Sequence, residues 1–318
     1  MIINNININN FPKILYQILT KNSWTSPFLT IPLRRISSHF KTRRMITNFE
    51  TNTVYFAQGL HASSYGLASY YVKKLLDRHQ IAREELPSTQ SPLHIWSRDY
   101  MPVQVDKNKF VQFRYEPDYL ADAPEYKPSI SAITGSLDLQ VIQSDIVLDG
   151  GNIISCGHRA ILTDKVYQEN PHYPRKKLRD TLSELLEADL VFIPWDKFEP
   201  YGHADGMVRY LGKGRVLLNN YCDFDRPLRS RLLSALRPHF EVLELNYGAH
   251  TEHSWAYLNF LHVGNSVFVP FLPDKLAYVA FRQIQNIFAR CRVIPMPGFE
   301  KVVKQGGAVN CSTWNILK

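Results

Sequence analysis

Tyr201-Gly202-His203-Ala204-Asp205-Gly206 places an imidazole and a carboxylate two residues apart, shortly after the apolar run from Leu190 to Pro194. In an extended segment side chains i and i+2 leave the same face. Both groups are then expected to point into one cavity, with Gly202 and Gly206 leaving room for backbone or ligand. Near the C-terminus Cys311 follows Gly306-Gly307, and two more acids are candidates: Asp99, after Arg98, and Asp149, before Gly150-Gly151. A thiolate is a competent nucleophile once a positive neighbour lowers its pKa. His203 can be that neighbour and also a general acid/base, with Asp149 available to orient it. Asp99 and Asp205 are surplus for a neutral amide. They suit a planar cation, because a guanidinium presents five N–H donors in a fork that carboxylates match two at a time.

Each residue alone has a plainer account. A His-x-Asp on a sheet is commonly a solvated face, Cys311 a buried thiol, Asp99 an ion-pair partner of Arg98, and Asp149 a turn residue. Trp96 and Trp255 fit a core as well as a ligand platform. Zinc would have to use His203, Asp205 and Cys311, yet no short Cys or His pair and no His-Glu-x-x-His is present. Neither Gly-x-x-x-x-Gly-Lys nor Gly-x-Gly-x-x-Gly occurs, which argues against phosphate or dinucleotide binding.

The elements around these residues recur. Strands are expected at 52–57, 110–113, 160–163, 189–194, 207–210, 216–218, 241–245, 266–269 and 291–294. Apolar stripes predict helices over 65–79 (Ala68, Val72, Leu75, Leu76), 174–187 (Leu178, Leu182, Leu185, Leu186), 227–236 and 275–290. Residues 114–138, with Pro117, Pro124 and Pro128, read as a long surface loop and a candidate lid. Polar clusters fall at Asp99, Asp149, Asp205, Trp255 and Cys311, at intervals of 50, 56, 50 and 56 residues. Such a period marks repeated supersecondary units. Five units of strand, polar motif, short antiparallel pair and helix can close radially with the motifs at the centre. An ordinary α/β sandwich with evenly sized elements is the alternative.

The 318 residues, 45% hydrophobic, are enough for a sizeable core. The net charge of +8 is concentrated at one end: residues 1–44 carry seven Lys or Arg and no acid, leaving 30 basic against 29 acidic residues beyond them. No basic stripe marks a nucleic-acid footprint, and no apolar run of 18 residues marks a membrane span. Residues 1–44 read as a basic extension, either disordered or an organelle-targeting (mitochondrial or other) peptide, preceding a single catalytic domain at 45–318. The four cysteines lack paired spacing and suit free thiols in a reducing, cytoplasmic setting.

Taken in order, the motifs resemble those of the agmatine deiminase and bacterial-type peptidylarginine deiminase family of guanidino-group-modifying enzymes. The resemblance covers about residues 50–318. The family's Trp-x-Arg-Asp-x-Gly-Pro is matched by Trp96-Ser-Arg98-Asp99-Tyr-Met101-Pro102, and its Glu-Gly-Gly by Asp149-Gly-Gly151. Its Gly-His-x-Asp is matched by Gly202-His203-Ala-Asp205, and its terminal Cys-x-Thr by Gly306-Gly-Ala-Val-Asn310-Cys311-Ser-Thr313. The resemblance implies an α/β fold, a five-bladed pseudo-symmetric propeller of ββαβ-type units, and no metal or organic cofactor. It implies that Cys311 attacks the guanidinium carbon, His203 protonates the departing nitrogen, Asp149 orients the histidine, and Asp99 and Asp205 grip the substrate beside Trp96 and Arg98. A covalent thiouronium, hydrolysed by water, then leads to a ureido product and ammonia.

Three positions depart from the family pattern: Met101 for glycine, Asp149 for glutamate and Asn310 for the histidine that commonly precedes the cysteine. The expected substrate is a small guanidino compound (agmatine or free arginine) or an arginine-containing peptide, with Glu116, Asp118 and Asp122 available for an amine and Arg114 for a carboxylate. No nucleic-acid or membrane partner is expected, and a homo-oligomer is compatible with the chain. Amidinotransferase activity, or a non-catalytic binding protein on the same fold, is the alternative.

Overall fold

A parallel pair of strands needs a crossover, whereas an antiparallel pair needs only a tight turn. This chain uses both connections in four of its five sheets and the helical crossover in all five. The computed structural model describes residues 44–62, 64–87, 95–199 and 201–318; the reading of residues 1–44 as an extension lies outside them except for Arg44, which bonds Glu50 at 2.6 Å. The strands are β1 Thr53–Ala57, β2 Ala82–Leu86, β3 Val103–Asp106, β4 Lys109–Arg114, β5 Val141–Val147, β6 Ile154–Ser155, β7 Arg159–Thr163 and β8 Asp189–Ile193. They continue as β9 Val208–Gly212, β10 Arg215–Leu218, β11 Glu241–Glu244, β12 Leu261–Val263, β13 Ser266–Pro270, β14 Arg292–Met296 and β15 Thr313–Ile316. Five three-stranded sheets result, ordered β15-β1-β2, β3-β4-β5, β6-β7-β8, β9-β10-β11 and β12-β13-β14. In each, the first two strands are antiparallel and the third lies parallel to the middle one.

Except between β15 and β1, the antiparallel step is a tight turn; where β9 turns into β10, Gly212, Lys213 and Gly214 all have positive φ, a bend that glycine tolerates best. A helix supplies each parallel crossover: α1 Gly66–Arg78, α2 Ile130–Gly135, α3 Arg175–Leu185, α4 Arg226–Leu236 and α5 Leu276–Ile287. The stripes act as expected. Ala68, Val72, Leu75 and Leu76 are buried on α1, Leu178 and Leu182 on α3, and Ala277, Ala280 and Ile284 on α5. The first sheet is built from both ends of the described chain, Thr53 pairing with Ile316 and Phe56 with Thr313. Trp314 adds an indole hydrogen bond to the carbonyl of Pro102 at 2.8 Å.

Three expectations change. Residues 114–138 are not a featureless loop: turns at Asp118–Leu120 and Pro124–Tyr126 lead into α2. Strands β2 and β5 escape a hydrophobic-pattern reading because most of their residues face solvent or are half-buried. Ala204–Gly206 is a short 3₁₀ turn capped by an extended His203, so the His-x-Asp segment is not a strand.

Candidate active site

Each unit contributes one short turn, and hydrogen bonds join the five turns in sequence. Gly151 N donates to Asp99 Oδ1 (3.2 Å), and His203 Nε2 meets Asp149 Oδ2 (2.9 Å). Asn259 Nδ2 donates to Asp205 Oδ2 (3.0 Å), Cys311 N to Asn259 Oδ1 (3.2 Å), and Arg98 N to the carbonyl of Cys311 (3.1 Å). The last bond returns to the first turn, so the ring closes. In the fourth unit the ring residue is Asn259, four positions after the Trp255 marked by the repeat. Asp205 and Asn259 are 54 residues apart, and that interval fits the period as well.

The ring needs close backbone approach. A Cβ on Gly151 would lie 2.8 Å from His203 Nδ1, tighter than carbon tolerates, so the glycine is what lets Asp99 and His203 share this corner. Asp99 Oδ1 stands 3.5 Å from His203 Nδ1. The imidazole thus has a carboxylate at each nitrogen. Burial works against its charge, but Asp99, the Asp149 hydrogen bond and Asp205 outweigh it and raise the His203 pKa to about 10. Burial first, and then Asp149 and Asp205, push Asp99 up to about 8 against the pull of His203 and Arg98.

Cys311 has different company. Its thiol donates to Asp205 Oδ2 at 3.6 Å, the oxygen that also accepts from Asn310 Nδ2 (2.7 Å) and Asn259. Burial, Asp205 and Asp99 together hold the thiol well above its ordinary pKa. His203, expected beside the sulfur as the group that lowers its pKa, is instead claimed by Asp99 and Asp149, and a carboxylate takes the place next to the thiol.

A cavity of about 800 Å³ opens onto His203, Asp205 and Cys311. Asp196, Glu199, Asp225 and Glu252 bring four further carboxyl groups to its lining, against Lys304 as the lysine present. Trp255 lines it as well. Asp99 and Asp149 do not line it and reach it through His203. Trp96 and Arg98, expected at the substrate, face elsewhere. Successive residues of the Ser97–Tyr100 helical turn point about 100° apart, so while Asp99 meets His203, Arg98 turns to the carbonyl of Asn310 (3.5 Å) and to Asn315 Oδ1. The Trp96 ring covers Gly307, where a Cβ would collide with it. Glu116 is bonded to Arg114 and Lys127, and Asp118 to Lys165, so the charged groups expected to read the far end of the substrate do not line the cavity.

Two contributors were hidden from a motif reading. Tyr119 Oη donates to Asp149 Oδ2 at 2.6 Å, beside the imidazole's bond to the same oxygen. Asn310, notable in sequence only as a departure, holds Asp205. The run of tyrosines in 114–138 was the one available signal for Tyr119.

With this geometry in hand, the comparisons with known proteins are specific. An agmatine deiminase of Pseudomonas syringae pv. tomato is 25% identical over 328 aligned positions, covering 87% of this chain and 86% of that protein. A putative agmatine deiminase of Streptococcus mutans is 24% identical over 53% of this chain and 56% of its own length. Among solved structures, C. jejuni agmatine deiminase superposes with a TM-score of 0.70 at 16% identity, covering 86% of this chain and 96% of that one. An amidinotransferase from Microseira wollei gives 0.61 at 13% identity, over 87% and 97%. These likenesses establish a mixed α/β fold shared with agmatine deiminases. The model of Porphyromonas-type peptidyl-arginine deiminases matches residues 37–316, and the chain belongs to that family.

Proposed function

We propose that this protein hydrolyses the guanidino group of a small cationic substrate through a covalent intermediate on Cys311, and that its five sheets are the blades of a propeller closed around that site. One observation carries the reading: a buried thiol, the Asp205 carboxylate and a doubly acid-flanked imidazole line the same cavity. At rest the thiol keeps its proton because it is buried and lies against the Asp205 carboxylate. A guanidinium entering against Asp205 brings positive charge and removes that bias, and the thiol proton passes to water. Sulfur then bonds the guanidinium carbon. His203, protonated at neutral pH, gives a proton to one nitrogen as the C–N bond breaks and ammonia leaves. Water attacks the resulting thiouronium and returns a proton to His203. The C–S bond breaks as the water's second proton goes to solvent, releasing the ureido product and regenerating the thiolate.

The acidic cavity lining favours a substrate with a second positive group at its far end. An amine such as that of agmatine meets Asp196, Glu199, Asp225 and Glu252, whereas a free α-carboxylate would be repelled. Ammonia release should therefore be fastest with agmatine, slower with arginine peptides and slowest with free arginine. Amidino transfer to an added amine in place of net ammonia release would move the protein to the amidinotransferases. No turnover of any guanidine, with Cys311 unlabelled by trapping agents, would leave a non-catalytic binding protein.

A further inference from the structure

Asp205 is a partition. Besides the large cavity it lines a second, inner cavity of about 60 Å³, and among the described residues it alone lines both. The inner cavity holds two guanidinium groups, Arg98 and Arg209. Arg209 projects from β9 and is 2% exposed. Its Nη2 donates to the carbonyl of Phe260 at 3.0 Å and its guanidinium carbon lies 4.9 Å from the Phe260 ring centroid, but its buried Nη1 has no partner. No carboxylate lies within 4.0 Å of either guanidinium among the described residues. Burying an arginine without an ion pair is costly, and one carbonyl and a ring face are thin compensation. The opposite charge lining the same cavity is Asp205, whose Oδ2 accepts from the Cys311 thiol.

We propose that Arg209 is a positioning residue for the reaction: from the inner cavity its unpaired guanidinium fixes the Asp205 carboxylate toward the substrate and favours the Cys311 thiolate once a cation fills the outer cavity. This rests on the cysteine reading above. The charged and titratable groups facing Arg209 are Asp205, Cys311, Arg98 and His262; the first two are the charges it stabilises, and Arg98 adds to its effect. His262 is buried and neutral, its pKa pushed down to about 3 by burial and by Arg209. Burial, Asp205 and Asp99 oppose ionisation of the thiol. The arginines therefore supply, from within, the positive charge that His203 was expected to supply from without.

The test compares alkylation of Cys311 by 2-chloroacetamidine, a cation, and 2-chloroacetamide, its neutral analogue. In both, an S–C bond forms, the C–Cl bond breaks, chloride leaves and the thiol proton goes to solvent. Wild-type enzyme should favour the cationic probe. In Arg209→Met that preference should fall at least about tenfold, as expected when a thiol pKa in the cation complex rises by about one unit, with kcat for agmatine falling alongside and KM nearly unchanged. Arg209→Lys should restore most of the preference. Arg209→Gln, which keeps a donor for the Phe260 carbonyl, supplies the uncharged variant should the methionine protein not fold. An unchanged preference in a folded uncharged variant overturns the proposal, as does equal slowing of both probes with a lowered melting temperature, which marks a purely structural arginine. Absence of any preference and of any Cys311 labelling in the wild type instead overturns the cysteine reading.

Discussion

The two halves of the ring use the same neighbour to opposite ends. On one side Asp149 and Asp99 flank His203; on the other Asp205 abuts Cys311. A carboxylate beside an imidazole favours the charged form, and His203 is raised to about 10. The same group beside a thiol disfavours the charged form, and burial, Asp205 and Asp99 together raise Cys311 well above its usual range. Both shifts point one way: the imidazole favours its protonated form and the thiol its neutral form. In the proposed mechanism it is a cation bound against Asp205 that offsets the charge opposing the thiolate.

The largest break in this comparison is loss of the sulfur. Cys311→Ser should cost at least about 10⁴-fold in kcat, the scale on which removal of a nucleophile acts, and steady-state ammonia release measures it. Retained turnover would end the covalent mechanism. Asp205→Asn removes the carboxylate from the thiol's side. Because a charge-assisted hydrogen bond is worth about 1.5–3 kcal/mol, kcat/KM for agmatine should fall about 10- to 100-fold. The neutral thiol-alkylating probe should meanwhile react faster with Cys311, since the opposing charge is gone; slower reaction contradicts the assigned environment.

The imidazole half is sharpened by pH. A His203 pKa raised from 6.5 to about 10 means the folded protein binds this proton more tightly than the unfolded chain. Its contribution to stability is complete below about 6.5 and fades as pH rises through about 10. The alkaline limb of kcat should fall in the same region. Asp149→Asn takes away one of the two carboxylates, so both the stability limb in a melting series and the kinetic limb should move to lower pH by at least about one unit. The smallest effect is expected for Tyr119→Phe. Losing one neutral donor to Asp149 is worth about 1 kcal/mol, so kcat should change less than about fivefold and the alkaline limb should shift upward, as a freer Asp149 holds the imidazolium harder. A downward shift would show that the phenol acts on something other than that carboxylate.

Motif reading found Asp99, Asp149, His203, Asp205 and Cys311, which the fold brings into one hydrogen-bonded ring with Asn259. It placed Trp96 and Arg98 at the substrate, but neither lines the cavity that opens onto Cys311. The difference is angular: Arg98 and Asp99 are adjacent in sequence, but on a helical turn one meets the histidine and the other the far side of the ring. Asn259 lies on the same period as Trp255, and the spacing alone does not choose between them. Arg209 and Tyr119 had no motif to announce them, because their roles come from what lies across a cavity or a loop.

Local patterning alone settles where the helices bury their leucines and which five stretches carry polar turns, since side-chain periods of 3.6 and of about fifty residues are written along the chain. Tertiary structure decides which face of each turn looks inward, which nitrogen of His203 meets which acid, and that the thiol sits beside a carboxylate instead of the imidazole. Those outcomes depend on distances between residues 50 to 200 positions apart, and a few ångströms determine whether a carboxylate helps a charge to form or holds it back.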